Sequence, residues 1–343
     1  YQFGNYYRLN RASGEQTYIQ PKHELGEKPY RFNWQTPIHL SNHNQDILYL
    51  GGNKLMRSLD QGNTWKAISD DLTQGGKSGN VAYGTLTTIS ESPSMHKKER
   101  VYATLNGYRF DDFSTYVYMS DDYGQTWKSI STNIPTAPVN VIVEDPVKEN
   151  ILYLGTDNGA YVSFNNGDQW EAFSKNLPAV AVHDIKTQKE SNDLLLGTHG
   201  RGIYKTNLSA LQKYDSSMAL SSKMIIFDLE SNRYYSRWGN SWSKWMQPYE
   251  PSTTIQLYSA ISGKKEVEIL TESGKQIQSF YVNLDKGFNF IDYDLTIHEK
   301  GRKLILKENT AIDINKAKND KYYIVKGNYI IKIDGVEKAF EVE

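Results

Sequence analysis

The chain has 343 residues, with 39 Lys and Arg against 40 Asp and Glu, 25 Tyr, 7 Trp and no Cys. A net charge of −1 argues against binding a nucleic-acid backbone, which takes a basic face. The absence of cysteine excludes disulfides, thiolate metal sites and a cysteine nucleophile.

High aromatic content, 25 Gly and a mean hydropathy of −0.64 predict strands with many turns and polar loops. No apolar run approaches the roughly 18 residues of a membrane span. Tyr1-Gln2-Phe3-Gly4 has no Met, no charged n-region and no h-region. From Tyr6-Tyr7-Arg8-Leu9 onward, short β-branched and aromatic runs succeed one another. Residues 37–40, 86–89, 139–143 and 182–185 read as one set of strands. Each is followed by a second run, at 47–51, 101–105, 151–155 and 193–197. No long stretch carries a helical apolar period.

A repeated unit follows three of these pairs. Ser58-Leu59-Asp60-Gln61-Gly62-Asn63-Thr64-Trp65 matches Ser120-Asp121-Asp122-Tyr123-Gly124-Gln125-Thr126-Trp127. A weaker copy is Ser163-Phe164-Asn165-Asn166-Gly167-Asp168-Gln169-Trp170. The second and third tryptophans are 43 residues apart, which fits the ~40–50 residues of a four-stranded propeller blade. The first two are 62 apart, so a stretch near Met95 is expected to be missing. The Asp or Asn can accept backbone N–H bonds in its own turn, and the Gly takes positive φ without steric cost. The Trp fills space between sheets. Ser58, Asp60, Gly62, Thr64, Trp65, Ser120, Asp122, Gly124, Thr126, Trp127, Ser163, Asn165, Gly167 and Trp170 are thus expected to serve the fold, not catalysis.

These boxes resemble the Asp-box (BNR) repeats of sialidases, sortilin-like propellers and xyloglucanase-type hydrolases. Longer phrases resemble large exported bacterial sortilin-like or glycosyl-hydrolase BNR-repeat proteins. They are Tyr30-Arg31-Phe32-Asn33-Trp34-Gln35-Thr36-Pro37-Ile38, Tyr83-Gly84-Thr85-Leu86-Thr87-Thr88-Ile89, Leu105-Asn106-Gly107-Tyr108-Arg109, Asp111-Asp112-Phe113, Val141-Ile142-Val143-Glu144-Asp145-Pro146 and Gly197-Thr198-His199-Gly200-Arg201-Gly202-Ile203-Tyr204. The resemblance is to the C-terminal part of longer proteins. It implies an incomplete ring, finished by other polypeptide, in an extracytoplasmic location: periplasm, outer membrane or cell surface.

After Tyr204 the repeat stops. Residues 1–208 are expected to form propeller blades, 209–252 an aromatic linker and 253–343 an Ig-like β-sandwich, similar to those of flagellar hook-cap proteins. The strands at 255–258, 265–270, 278–282, 287–295 and 327–335 alternate apolar and polar residues, and Glu272-Ser273-Gly274-Lys275 reads as a hairpin turn. Of the cluster Trp238, Trp242, Trp245 and Tyr249, the three tryptophans are expected to pack the sandwich against the propeller, with sugar stacking as the alternative.

The chemistry is sparse. A sialidase's Arg-Ile-Pro motif is absent, although Arg57, Arg109 and Arg201 fall near strand ends. Asp111, Asp112, Glu144, Asp145 and Asp157 could supply the two carboxylates of a glycosidase, but spacing alone brings no two together. His183-Asp184 lacks a nucleophile, and no catalytic triad, phosphate loop or metal spacing is present. Arg109, Asp111, Asp112, His199 and Arg201 remain as candidate contacts for a ligand or partner; His and Arg read anions well. Neither a metal nor a cofactor is expected. The leading expectation is a non-catalytic binding or scaffold propeller, recognising envelope proteins or a glycan. The alternative is an Asp-box glycoside hydrolase, sialidase- or xyloglucanase-like.

Overall fold

A computed structural model describes residues 2–34, 36–72, 88–107, 111–173, 176–214 and 224–343. The chain divides into two compact units, Tyr1–Leu208 and Ser209–Glu343.

The first unit is a series of antiparallel meanders. A hairpin of β1 (Tyr7–Leu9) and β2 (Gln16–Tyr18) comes first. Three four-stranded sheets follow: β3 (Ile38–Leu40), β4 (Leu48–Gly51), β5 (Leu55–Ser58) and β6 (Lys66–Ala67); β7 (Thr88–Pro93), β8 (Val101–Gly107), β9 (Asp112–Ser120) and β10 (Lys128–Ser129); β11 (Val139–Glu144), β12 (Leu152–Thr156), β13 (Gly159–Ser163) and β14 (Glu171–Ala172). A three-stranded sheet of β15 (Val182–Gln188), β16 (Asp193–Thr198) and β17 (Ile203–Asn207) ends the unit. Each strand pairs with the next in sequence, so only hairpins are needed. The second strand of each four-stranded sheet is buried on both faces, which explains its continuous apolar run. Inner strands stand side by side, β3 with β7, β7 with β11 and β11 with β15. Among the described residues β15 and β3 share no comparable packing.

The cores lie between successive sheets. Tyr102, Val117 and Met119 of the second pack with Val139, Ile142, Leu152 and Leu154 of the third, and Trp170 joins them. Tyr49 and Leu55 of the first pack with Val101 of the second.

The turn after each inner strand repeats as closely as the Asp-box hairpin does. Ser41 N donates to Ile47 O, Ser94 N to Arg100 O and Asp145 N to Ile151 O, all at 2.9–3.0 Å. Each turn ends two residues before a fully buried tyrosine, Tyr49, Tyr102 or Tyr153. The turn at Met95 is therefore complete, which corrects the expected gap there. The extra residues lie elsewhere. The connection from β6 to β7 has 20 residues, against nine in each of the next two connections. The β8–β9 hairpin is also longer than the β12–β13 hairpin. These two insertions account for the whole difference in box spacing.

The second unit has two sheets around one core. Strand β18 (Met224–Ile226) pairs with β19 (Thr253–Ser259), and β19 with β22 (Gly287–Tyr293). The other sheet runs β21 (Gln276–Leu284), β20 (Gly263–Thr271), β25 (Gly327–Ile333), β26 (Val336–Val342). A short ladder joins β23 (Thr296–Ile297) to β24 (Tyr322–Tyr323). Ile255, Leu257 and Tyr293 from one sheet meet Val267, Ile269, Ile331 and Ile333 from the other. Among the described residues this unit has two helices, α1 (Ser209–Lys213) and α2 (Glu299–Glu308).

Residues 209–252 are more than a linker: they supply α1, β18 and the core residue Trp238. The tryptophan cluster is also split. Trp238 is buried against Tyr234 and Tyr323, whereas Trp242 and Trp245 are 89% and 96% exposed. Among the described residues no helix is long and apolar enough to cross a membrane.

Candidate functional site

The inner strands of all four sheets border one cavity of about 310 Å³. Its wall is formed by His39 and Leu40 of β3, Pro93 of β7, residues 141–144 of β11 and residues 183–187 of β15. Successive four-stranded meanders with their first strands around a common channel define one architecture. The first unit is built of β-propeller blades.

Among the described residues two carboxylates line the channel, and both are engaged. Glu144 is 2% exposed and accepts from Ser94 Oγ (2.7 and 2.8 Å), Met95 N (2.7 Å) and Tyr102 OH (2.8 Å). Burial and the adjacent Glu144 carboxylate push the Tyr102 phenol well above its ordinary range, so it stays a donor. Asp184 pairs with Lys186 at 3.2 Å on the channel wall. The neighbouring Asp145 is fully buried and accepts from Val147 N, Lys148 N and Tyr153 OH at 2.7–2.8 Å. The Glu144 bonds stitch blades together: Ser94 and Met95 follow β7, Tyr102 is on β8, and Glu144 ends β11. His96 Nε2 meets Asp145 O at 2.8 Å, and His43 Nε2 meets Ser94 O at 3.2 Å.

The three repeated hairpins share one hydrogen-bond pattern. Ser58 Oγ donates to Asp60 Oδ1 (2.8 Å) and accepts from Gly62 N (2.8 Å). Asp60 also accepts from Thr64 N (2.8 Å) and Thr64 Oγ1 (2.7 Å). Ser120, Asp122, Gly124 and Thr126 repeat this at 2.6–2.8 Å. In the third copy Asn165 accepts from Ser163 Oγ (3.0 Å) and Gln169 N (2.9 Å), while Gly167 N donates to Ser163 Oγ (2.8 Å). Both central residues of each turn have positive φ, as tight hairpins require. Donation from Thr64 and Ser58 holds the Asp60 carboxyl at about 2; Thr126 and Ser120 do the same for Asp122. Trp65 Nε1 donates to Ile19 O and Trp170 Nε1 to Ile130 O, both at 2.7 Å. Trp127 Nε1 instead reaches Gly124 O in its own hairpin (3.1 Å).

The candidate contact residues do not form one group of bonded partners. Asp111 is exposed in the β8–β9 turn with φ of 56°. Asp112 accepts from Tyr116 OH (2.9 Å) and Ser114 N (3.1 Å). Arg109 lies outside the described residues. His199 and Arg201 are exposed in the β16–β17 turn. The His199 ring stands 5.4 Å from the His183 ring, and its backbone N–H donates to Ala181 O. Arg57 sits over the Tyr123 ring at 5.0 Å. Among the described residues no group of His, Asp and Glu is disposed to hold a metal.

No family model matches the chain, and no curated protein does. Several solved structures do. The GH74 enzyme of Niastella koreensis matches at 15% identity over 74% of this chain and 30% of its own, with a TM-score of 0.35. The GH74 xyloglucanase from Xanthomonas campestris matches at 10% identity over 89% of this chain and 46% of its own, with a TM-score of 0.39. YCF48 bound to D1 peptide matches at 10% identity over 94% of this chain and 87% of its own, with a TM-score of 0.30. The chain spans less than half the length of these two GH74 chains. The blade assignment rests on the strand order and registers of this chain itself.

Proposed function

We propose that the chain is part of a non-catalytic binding or scaffold propeller, exported and working in the cell envelope or at the cell surface. The observation that carries the reading is the state of the channel carboxylates. Glu144 accepts from three donors of its own fold, and Asp184 is paired with Lys186. Hydrolysis of a glycoside needs an acid and a second carboxylate, both facing the sugar. A carboxylate enclosed by Ser94, Met95 and Tyr102 is a poor candidate for either task. The location rests on the resemblance of the longer phrases to exported bacterial proteins.

The partner in this reading is a protein or a glycan. Asp111, His199 and Arg201, exposed in turns between strands, and Asp112, the first residue of β9, are the residues proposed to meet it, together with Arg109 from the sequence. Sheet edges offer a second way to bind: among the described residues β1 pairs with β2 alone, and the blade of β15–β17 has three strands.

The test is turnover of sialosides and β-glucans by the full-length protein. No activity above background is expected. Activity that disappears in Asp111→Asn or Asp112→Asn, with folding retained, would replace this reading with that of an Asp-box glycoside hydrolase.

A further inference from the structure

We propose that residues 239–249 of the second unit form a rigid spike that docks on an anionic lipid surface. The loop is closed at its base. Gly239 N donates to Tyr249 O (2.7 Å) and Tyr249 N to Asn240 O (3.2 Å). A second clamp comes from the 315–320 region, where Asn319 N donates to Gly239 O and Lys318 N to Asn240 Oδ1, both at 3.1 Å. Immediately before the loop, Trp238 is buried in the core, edge-on to Tyr234 and Tyr323. The base is thus fixed by packing and hydrogen bonds, while the tip carries Trp242, Trp245 and Met246 at 89%, 96% and 60% exposure.

Exposed apolar side chains on a fixed loop mark an interaction site. The charge around them selects the occupant. Residues 231–249 include Arg233, Arg237 and Lys244 and no acidic residue, in a chain whose overall charge is −1. The nearest carboxylate downstream, Glu250, is held by Lys321 (3.1 Å) and Asn319 Nδ2 (2.9 Å). Tryptophan favours the boundary between headgroups and acyl chains. Basic residues beside it gain from anionic headgroups, and stable surface binding takes both signals. A stacking platform for neutral sugars needs neither the three cations nor an exposed methionine, so the lipid surface is the better fit.

The experiment is co-sedimentation of the intact chain with vesicles of phosphatidylcholine alone or with an equal part of phosphatidylglycerol, together with tryptophan emission. Binding about tenfold tighter or more to the anionic vesicles is expected, with a blue shift. Trp242→Ser with Trp245→Ser should abolish both signals at unchanged thermal stability. Lys244→Glu should weaken binding about tenfold at low salt. The proposal is overturned by equal binding to both compositions, by binding to neither, or by anionic binding that survives the double substitution. Emission that shifts with soluble oligosaccharides and not with vesicles overturns it too. None of these residues belongs to the propeller unit, so either outcome leaves the hydrolysis test intact.

Discussion

Gly124 lies against Ile68: a Cβ built on Gly124 would stand 2.7 Å from Ile68 Cδ1 and 2.9 Å from Ile68 O. The glycine is in the hairpin of the second blade, and Ile68 follows the last strand of the first. The same relationship joins Gly62 to Ile19 and Gly167 to Ile130. At each place the hairpin turn touches the preceding blade, so one residue type answers both to positive φ and to close packing.

Gly124→Ala and Gly167→Ala are therefore expected to destabilise by about 2–4 kcal/mol, combining left-handed strain with overpacking. Gly14 supplies the control. It has φ of 75° but nothing within 4 Å of a built Cβ. Gly14→Ala should cost only the backbone strain, about 1–2 kcal/mol. Urea denaturation of the three variants checks this; equal losses at all three sites would show that the contact with the isoleucine contributes nothing.

The tryptophans of the second and third hairpins should separate in the same assay. Trp170 is 4% exposed and bonds across to Ile130 O, whereas Trp127 is half-buried and bonds within its own turn. Trp170→Ala should cost about 3–5 kcal/mol. Trp170→Phe should recover part of that, with about 1–3 kcal/mol still lost from the unsatisfied Ile130 carbonyl. A smaller loss is expected for Trp127→Ala.

Acid should act on two of the three hairpins. Asp60 and Asp122 are held at about 2, below the ordinary 3.8, whereas the third copy has Asn165, which does not titrate. A carboxyl depressed in the folded state contributes stability above its unfolded pKa and loses it as pH falls through the folded value. The window here runs from about pH 4 down to about 2. Asp60→Asn with Asp122→Asn should flatten the fall of Tm across that window; Asn165→Ala should lower Tm by the same amount at every pH. Parallel Tm curves for the double variant and the parent chain would refute the linkage.

How much of this was legible depends on whether the signal was local. Each Asp-box hairpin closes within a few residues, so side-chain acceptor, glycine and tryptophan stand together in the sequence. The repeated turns at Ser41, Ser94 and Asp145 were missed, although each ends two residues before a buried Tyr, because Ser and Asp fill the same role there and hide the repeat. Helix α2 was missed for another reason. It has four basic residues and buries only Gly301 and Ile305, and its N-cap His298 makes no side-chain cap bond. A Cβ on Gly301 would lie 2.1 Å from Ile277 O, so that glycine marks the place where helix meets strand, a contact distant in sequence. The engagement of Glu144 joins residues about 50 positions apart and could not be read from spacing.

The N-terminal hairpin leads to the last prediction. Ile19, Ile68 and Ile130 each directly follow an outermost strand and pack on the glycine of the next hairpin. By that equivalence β1 and β2 hold the place of the outer two strands of a blade. In the blades that follow, the strand equivalent to β1 is flanked on both sides: β5 by β4 and β6, β9 by β8 and β10, β13 by β12 and β14. Among the described residues the sheet of β1 has two strands, and Leu9 and Tyr18 on it are exposed at 54% and 41%. An edge strand of this kind takes up another strand readily. The outward-facing Leu9 amide of β1 should exchange with deuterium far faster than those of β9 or β13. Supplying two inner strands, by extension of the chain or as a separate hairpin, should slow that exchange and raise Tm. If β1 is already as protected as β9 in the isolated chain, its edge is filled in another way and the half-blade assignment fails.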